Sequence, residues 1–184
     1  MTALLTALEN LAGSDVYPLH MPGHKRNLRG VSEILAQAAE LDITEIDGFD
    51  NLYAPEGILK EALGRAAALY GADETLYSVN GSTGALLTAL SAAVPEGGKL
   101  ILARNCHRAV WNSVYLRHLE PVCLYPEVLP DISLAAPVRP EAVEEALYAH
   151  PDAKAVLIVS PTYDGLCADV EGIARVVHAH GAVL

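Results

Sequence analysis

The sequence predicts an α/β fold in which a mostly parallel sheet is covered by helices on both faces, giving three layers, αβα. Two observations carry this prediction. From residue 75 onward, short apolar runs typical of strands alternate with longer runs of helical spacing, as in successive βαβ crossovers. The run 155–159, Ala-Val-Leu-Ile-Val, is apolar at every position, which suits a strand buried on both faces of its sheet.

The N-terminal part of the chain lacks this alternation. Residues 2–11 carry apolar positions at helical spacing, and a short helix is predicted at 31–41. Prolines and glycines interrupt residues 17–25, which we interpret as an extended arm. Residues 42–55 mix acids, a glycine, an asparagine and aromatics without a sustained period, so we expect a loop there.

The remainder of the chain carries the predicted sheet. A helix at 56–70 has apolar residues at helical spacing and is ended by Gly71. The strands are predicted at 75–79, 99–103, 121–125, 155–159 and 182–184. The helices between them are predicted at 83–94, 107–119, 140–149 and 169–180. The proline-containing segment 125–140 is predicted to be a long loop.

The length of 184 residues suits one domain with a hydrophobic core, since a domain typically has roughly 100–200 residues. We divide the chain into an N-terminal arm and helical segment, residues 1–55, and the larger part of the domain, residues 56–184. There is no uninterrupted apolar segment near the ~20 residues that a membrane span needs. The N-terminus also lacks the basic region and small-residue cleavage pattern of a secretory signal, so we expect a cytoplasmic protein.

Charge and cysteine content exclude further classes. The formal net charge of −11 argues against binding to nucleic acid or to anionic lipid surfaces. The three cysteines, Cys106, Cys123 and Cys167, are widely spaced and form no C-x-x-C pair. We therefore expect them to be reduced and to serve packing, and we predict no metal site.

The segment 80–84, Asn-Gly-Ser-Thr-Gly, lies between a predicted strand and a predicted helix. Backbone N–H groups at a helix N-terminus have no intrahelical acceptor and lie at the positive end of the helix dipole, so an anion gains several donors there. The hydroxyls of Ser82 and Thr83 add further donors. The alternative is an ordinary N-capped helix after a tight turn.

Two other segments follow predicted strands at the edge of the sheet where ligands bind in parallel α/β folds. His107 begins a helix after the strand 99–103, and its imidazole could stack on a planar ring; alternatively it is solvated or hydrogen-bonded locally. Residues 160–165, Ser-Pro-Thr-Tyr-Asp-Gly, present hydroxyls and a carboxylate. The alternative is a plain turn built by Pro161 and Gly165.

Six segments in this order together resemble the Orn/Lys/Arg decarboxylase family, in the major domain of its members. They are Met-Pro-Gly-His-Lys at 21–25, Asp-Ile-Thr-Glu at 42–45, Asp-Asn-Leu-Tyr-Ala-Pro-Glu-Gly at 50–57, Val-Asn-Gly-Ser-Thr-Gly at 79–84, Asn-Cys-His-Arg at 105–108 and Pro-Thr-Tyr-Asp-Gly at 161–165. The resemblance implies a fold-type-I, aspartate-aminotransferase-like enzyme with pyridoxal 5'-phosphate (PLP) as cofactor. Residues 56–184 then correspond to part of the PLP-binding major domain.

The implied reaction removes the α-carboxylate of a basic amino acid, yielding CO2 and a polyamine precursor. Arginine, lysine and ornithine stay open as substrates, and the resemblance implies a homo-oligomer, a dimer or larger. Ser82, Thr83 and Gly84 match the cup for the cofactor phosphate, and His107 matches the histidine that stacks on the pyridine ring. Thr162 lies in a segment close to the cofactor, where we expect it to contribute a supporting hydrogen bond.

Other matched residues receive no chemical role. His24 and Lys25 match an arm motif near the active site of the family; alternatively they form a solvated basic patch. The acids Asp47, Asp50 and Glu56 bear on recognition of a cationic substrate or are simply solvated, and we assign none of them.

PLP catalysis needs a lysine that holds the cofactor as a Schiff base and an acid paired with the pyridinium nitrogen. In the family both follow the strand that begins at 181–184. The four lysines of the chain, Lys25, Lys60, Lys99 and Lys154, lie outside the Ser-x-His-Lys type of segment that carries it. We therefore expect the 184-residue polypeptide alone to be inactive. In the family, strand 75–79 pairs with later strands, so we expect this polypeptide to oligomerise through that edge or to rearrange it.

Two alternatives to a decarboxylase stay open. Another fold-type-I enzyme, an aminotransferase or a carbon–sulfur lyase, would share the phosphate cup, although the segments at 21–25 and 42–45 favour a decarboxylase. A non-catalytic partner of an intact decarboxylase subunit would also share the sequence, since active sites in the family form between subunits. A reading frame that continues into an acid and a Ser-x-His-Lys segment would favour the enzyme.

Overall fold

A computed structural model describes residues 3–184, which form two compact units divided between Tyr77 and Ser78. The first unit contains three helices, α1 (Ala3–Ala12), α2 (Glu33–Glu40) and α3 (Ile58–Tyr70), joined by irregular segments. All three confirm helices predicted from apolar spacing, although Thr2, the first residue of one predicted helix, lies outside the described residues. Helix α3 ends at Gly71, which adopts a left-handed conformation with φ of 63°.

The second unit carries the sheet. Its helices are α4 (Gly81–Ala93), α5 (Arg108–Leu116), α6 (Pro140–Ala149) and α7 (Val170–Ala179). Its strands are β1 (Lys99–Ala103), β2 (Glu120–Leu124), β3 (Val128–Leu129), β4 (Leu134–Ala135) and β5 (Ala155–Leu157).

Strands β2, β1 and β5 form a parallel sheet in that order, with Ile101 opposite both Val122 and Val156. Successive side chains of β1 point to opposite faces. Leu100 and Leu102 pack in a cluster with residues of α4 and α5, whereas Ile101 and Ala103 pack with residues of α6 and α7. The predicted three-layer αβα arrangement is therefore confirmed, and the continuous apolar strands reflect burial on both faces.

The predicted strand at 75–79 is wrong. In the structure this segment is irregular, and within residues 3–184 its backbone makes no hydrogen bond. Leu76 and Val79 are 83% and 72% exposed. An apolar sequence becomes a strand only when another strand accepts and donates its ladder of hydrogen bonds, and the described residues bring none beside it.

Three smaller differences concern the loop predicted at 125–140 and two of the predicted strands. The segment 125–140 contains a short antiparallel hairpin, β3 with β4, in which Val128 lies opposite Ala135. Strands of two residues are too short to give an alternating pattern. The strand predicted at 155–159 ends at Leu157, and the one at 182–184 is limited to a parallel bridge between Val183 and Ala155. Among the helices of residues 3–184, none is long and apolar enough to cross a membrane.

Candidate functional site

The start of α4 is shaped by two glycines. Gly81 has φ of 66°, a left-handed conformation that glycine adopts without strain. At Gly84, a Cβ atom would lie 2.7 Å from Asn80 Cβ and 3.2 Å from Ser78 Oγ. A side chain at residue 84 would therefore displace the turn that precedes the helix.

The backbone donors of this turn are free. Asn80 precedes the helix but its side chain makes no capping hydrogen bond. Within residues 3–184 the N–H groups of Gly81, Ser82 and Thr83 have no acceptor, and Ser82 and Thr83 are exposed. The first turn contains no acidic residue. This set of donors fits a phosphate group.

The other three helices of the second unit do not offer the same opening. The side chain of His107 closes the start of α5, and that of Asp169 closes the start of α7 by accepting the N–H of Gly172 at 2.9 Å. Helix α6 begins with Pro140, which has no N–H, and carries Glu141 in its first turn. Within residues 78–184, α4 is thus the one helix whose start is both open and free of acid.

His107 is the N-cap of α5. Its Nδ1 accepts the backbone N–H of Ala109 at 3.1 Å, and its ring is otherwise exposed. The residues that follow are anchored in the core, since Ala109 and Val110 are each 1% exposed. The imidazole is therefore attached to a helix start that is anchored in the core, on a residue that is exposed.

The residues between β1 and α5 also contact α5. The guanidinium carbon of Arg104 lies 5.1 Å from the ring centroid of Trp111, a cation–π contact. Cys106 is half-buried, and burial raises the pKa of its thiol. A thiol with a raised pKa is a poor nucleophile, which agrees with the packing role expected for the cysteines.

Thr162 is 6% exposed and its polar groups hold the loop after β5 together. Its Oγ1 accepts the N–H of Leu166 at 3.2 Å, and its own N–H donates to the carbonyl of Leu166 at 2.8 Å. Ser160 Oγ accepts the N–H of Ala168 at 3.1 Å. These bonds leave Tyr163 fully exposed at the tip of the loop.

The topology brings the sequence-predicted site residues to one edge of the sheet. Because β1 and β5 are parallel neighbours, His107 and Thr162 both follow the carboxyl ends of these strands. Helix α4 leads into β1 through residues 94–98 and packs on one face of the sheet, so its N-terminus points to the same edge. Ser82, Thr83 and Gly84 therefore share that edge, and their roles stay predictions.

Neither lysine of the second unit lies at this edge. Lys99 is the first residue of β1, and Lys154 directly precedes β5, so both belong to the amino ends of the strands. The Lys99 ammonium lies 2.8 Å from each carboxylate oxygen of Asp152, which also holds the pKa of that carboxyl below its usual value.

The basic arm of the first unit is held by its own hydrogen bonds. The Lys25 ammonium donates to the carbonyls of Leu19 and His20, and the Arg26 guanidinium donates to the carbonyl of Leu11 at 3.0 Å. His24 Nδ1 accepts the N–H of Arg26 at 3.0 Å. These side chains are therefore bonded to the arm's own backbone rather than simply solvated, and a role near the active site stays a prediction.

Asp50 is a residue whose structural role the sequence did not reveal. Its carboxylate accepts the N–H groups of Asn51, Glu56, Gly57, Leu59 and Lys60, at 2.7–3.4 Å. These bonds, the one from Glu56 most of all, hold the pKa of Asp50 far below its usual value. Asp50 thus caps α3 from eight residues before the helix begins, a distance at which no local pattern signals a cap.

A separate cleft of about 350 Å³ lies between the β3–β4 hairpin and the starts of α6 and α7. Arg139 is its cationic residue, but the guanidinium is paired with Glu127 at 2.6 Å. None of the sequence-predicted site residues lines this cleft. Across residues 3–184, no three His, Cys, Asp or Glu side chains form a group that could hold a metal ion.

Comparison with known proteins gives a family match over nearly the whole chain. The model of the family described as "Orn/Lys/Arg decarboxylase, major domain" matches residues 2–184. An arginine decarboxylase of Bacillus subtilis is 34% identical over 182 residues, which is 97% of this chain and 37% of that protein. The chain therefore spans less than two fifths of the length of this relative.

Solved structures share the fold. The constitutive lysine decarboxylase of Escherichia coli superposes with a TM-score of 0.79 at 21% identity, over 96% of this chain and 27% of that one. An aspartate aminotransferase of Rhodobacter sphaeroides superposes with a TM-score of 0.51 at 22% identity, over 73% of this chain and 35% of that one. At these identities the likeness concerns the fold alone.

Proposed function

This chain belongs to the Orn/Lys/Arg decarboxylase family, and from that membership we propose that it supplies the phosphate cup and ring face of a PLP-dependent decarboxylase. The substrate would be a basic amino acid, arginine, lysine or ornithine, and the products CO2 and a polyamine precursor. The observation that carries the proposal is the start of α4, which is open, free of acid and flanked by two hydroxyls.

Each site residue has a role in binding. The N–H groups of residues 81–83 and the hydroxyls of Ser82 and Thr83 donate to the cofactor phosphate, while Gly84 keeps the turn small enough to approach it. His107 offers the face of its imidazole to the pyridine ring. Thr162 hydrogen-bonds within its own loop, so we propose that it supports the site by holding residues 160–168 in place, with its hydroxyl hydrogen left for the cofactor.

The cofactor, when bound, supplies an electron sink for the electron pair left by the departing carboxylate. That chemistry needs a lysine to anchor the cofactor covalently and an acid at the ring nitrogen. Lys99 and Lys154 lie at the opposite edge of the sheet. Lys25 donates to backbone carbonyls within the arm, and Lys60 lies within α3. We therefore propose that the 184-residue polypeptide binds the cofactor without turning over substrate.

The same membership supports the proposals of a cytoplasmic enzyme and of a homo-oligomer, a dimer or larger. Exposed apolar side chains of the first unit support self-association, among them Ile34, Leu35 and Tyr53, which are each more than half exposed. Substrate binding and turnover would then require a partner subunit or residues outside the 184-residue chain.

Two alternatives have some support. An aminotransferase would share the phosphate cup, but the family match and the segments at 21–25 and 42–45 favour the decarboxylase. A non-catalytic partner of an intact decarboxylase subunit agrees with the positions of the lysines. One measurement separates the non-catalytic partner from the decarboxylase proposal. The turnover of an intact decarboxylase would change on addition of the 184-residue protein only if that protein is such a partner.

The test is a titration of the 184-residue protein with PLP, followed by its absorption spectrum, with two serine variants of α4. Ser82→Ala removes a hydroxyl at the start of the helix, whereas Ser91→Ala is a matched control near the end of the same helix. We expect a saturable change in the wild type and in Ser91→Ala, and weaker binding in Ser82→Ala. No saturable change in the wild type would refute the cofactor proposal, and CO2 released from any of the three amino acids would refute inactivity.

A further inference from the structure

We propose that His107 caps α5 through Nδ1 and that this cap fixes both the tautomer and the plane of the ring presented to the cofactor. The inference rests on the proposed function for the identity of the ring that is stacked. The cap itself rests on the structure alone, since Nδ1 lies 3.1 Å from the nitrogen of Ala109. His107 is then a positioning residue for its own imidazole as well as a contact residue.

The hydrogen bond determines where the ring proton resides. A backbone N–H can only donate, so Nδ1 must be the acceptor and must carry no proton. The neutral ring therefore holds its proton at Nε2. Any proton that His107 donates during the reaction leaves from Nε2, and Nδ1 is not available as a base while the cap is intact.

The cap also restricts rotation of the imidazole. The backbone of His107 is extended, with φ of −62° and ψ of 147°, as N-cap residues usually are. Two residues that follow it, Ala109 and Val110, are buried, and Val110 packs against β1. A ring bonded through one edge to a buried helix turn is held in one orientation on an exposed residue, and an ordered ring suits stacking.

The same cap assigns phosphate binding and ring stacking to different helices at this edge of the sheet. Because the imidazole accepts the N–H of Ala109, the start of α5 offers an anion fewer free donors than the open start of α4. The anion is thereby directed to residues 81–83, and the ring to His107. The histidine cap thus makes α5 a poorer anion site than α4 and holds a ring for the planar part of the cofactor.

Two substitutions separate the cap from the ring. His107→Asn keeps a side-chain acceptor suited to capping but removes the ring, whereas His107→Phe keeps a ring but removes the acceptor. Three readouts are needed: the ¹⁵N signals of the His107 imidazole, thermal unfolding, and quenching of Trp111 fluorescence by PLP. Trp111 is the one tryptophan of the chain and lies in the first turns of α5, so it reports on this region.

We expect the spectrum to show Nδ1 unprotonated and Nε2 protonated in the protein without cofactor. His107→Asn should unfold at the wild-type temperature but bind PLP roughly 2- to 10-fold more weakly, as the loss of one stacked ring predicts. His107→Phe should unfold at a lower temperature and also bind PLP more weakly than the wild type, because its ring is no longer held.

Three results would overturn the inference: a proton at Nδ1, a His107→Phe protein as stable as the wild type, or PLP binding in His107→Phe equal to wild type. Failure of the proposed function looks different. In that case the imidazole signals and the stability order are as expected, but PLP does not quench Trp111 in the wild type, so the cap stands and the cofactor assignment falls.

Discussion

The carboxylate of Asp50 accepts the backbone N–H of Gly57, with 2.7 Å between Oδ2 and the nitrogen, across seven residues of chain. The same carboxylate accepts four further N–H groups of the loop and of α3. One side chain thus closes the loop and caps the helix that follows. The ionised carboxylate accepts these bonds more strongly than the protonated carboxyl does, which gives the first unit an acid-sensitive point.

We predict that Asp50→Asn lowers the unfolding temperature at neutral pH. The unfolding temperature of the variant should also fall less steeply than that of the wild type as the pH is lowered. The pKa of Asp50 is lowered in the folded protein, so its contribution is complete above the unfolded value of about 3.9 and is lost as the pH falls toward the folded pKa. Thermal unfolding followed by circular dichroism between pH 7 and pH 3 measures this. Asp47→Asn, an exposed acid of the same loop, is the control and should behave as the wild type. Equal acid slopes in wild type and Asp50→Asn would contradict the prediction.

Features that depend on neighbouring residues could be predicted from the sequence, whereas features that depend on distant residues could not. The helices and β1 could be predicted because their apolar spacing is a local signal. Ile101 and Leu102 point to opposite faces of the sheet and both are buried, so the position of β1 within the sheet does not alter the pattern. The segment 75–79 has an equally strand-like sequence, but it becomes a strand only beside a distant partner strand. The apolar pattern alone therefore predicted a strand that the structure does not contain. Asp50 looked like a solvated acid because the N–H groups that it accepts lie up to ten residues away.

The candidate site shows the same division. The opening at Ser82 and Thr83 could be predicted, because glycines and hydroxyls at a helix start are a local signal. For His107 the sequence predicted a local hydrogen bond only as an alternative to ring stacking, since histidine is not among the preferred N-cap residues. The burial of Thr162 depends on Leu166 and on how the loop folds back, which no spacing of residues encodes.

Two glycines within helices should respond to alanine with opposite signs. At Gly84 a Cβ would lie 2.7 Å from Asn80 Cβ, so we expect Gly84→Ala to destabilise the protein and to weaken PLP binding. At Gly64, in α3, a Cβ meets nothing within 4 Å, and Gly64→Ala should stabilise the protein by up to about 1 kcal/mol through helix propensity. Chemical unfolding of both variants measures the difference. Stabilisation by Gly84→Ala would show that the turn before α4 adapts.

A buried hydroxyl in α5 offers a stabilising substitution. Ser113 is 1% exposed, and its Oγ has no hydrogen-bond partner among residues 3–184. A buried polar group without a partner costs about 1–3 kcal/mol, so Ser113→Ala should raise the free energy of unfolding by about 1 kcal/mol or more. Ser91→Ala, on an exposed position of α4, isolates the effect of helix propensity, about 0.5 kcal/mol. A gain in Ser113→Ala no larger than that in Ser91→Ala would contradict the assignment.

Self-association should depend on the exposed segment at 75–79. Its backbone N–H and C=O groups have no backbone partner within residues 3–184, and Leu76 is 83% exposed, so it offers both a ladder edge and an apolar side chain. We expect light scattering to give a mass above the 19.5 kDa of one chain. Leu76→Ser should weaken association by about tenfold or more, because burial of a leucine contributes roughly 1.5–3 kcal/mol. Leu69→Ser, at an equally exposed site on α3, is the matched control and should leave the mass unchanged. A wild-type protein that stays monomeric at all concentrations would refute association through this edge, and an equal loss of mass in both variants would move the interface to α3.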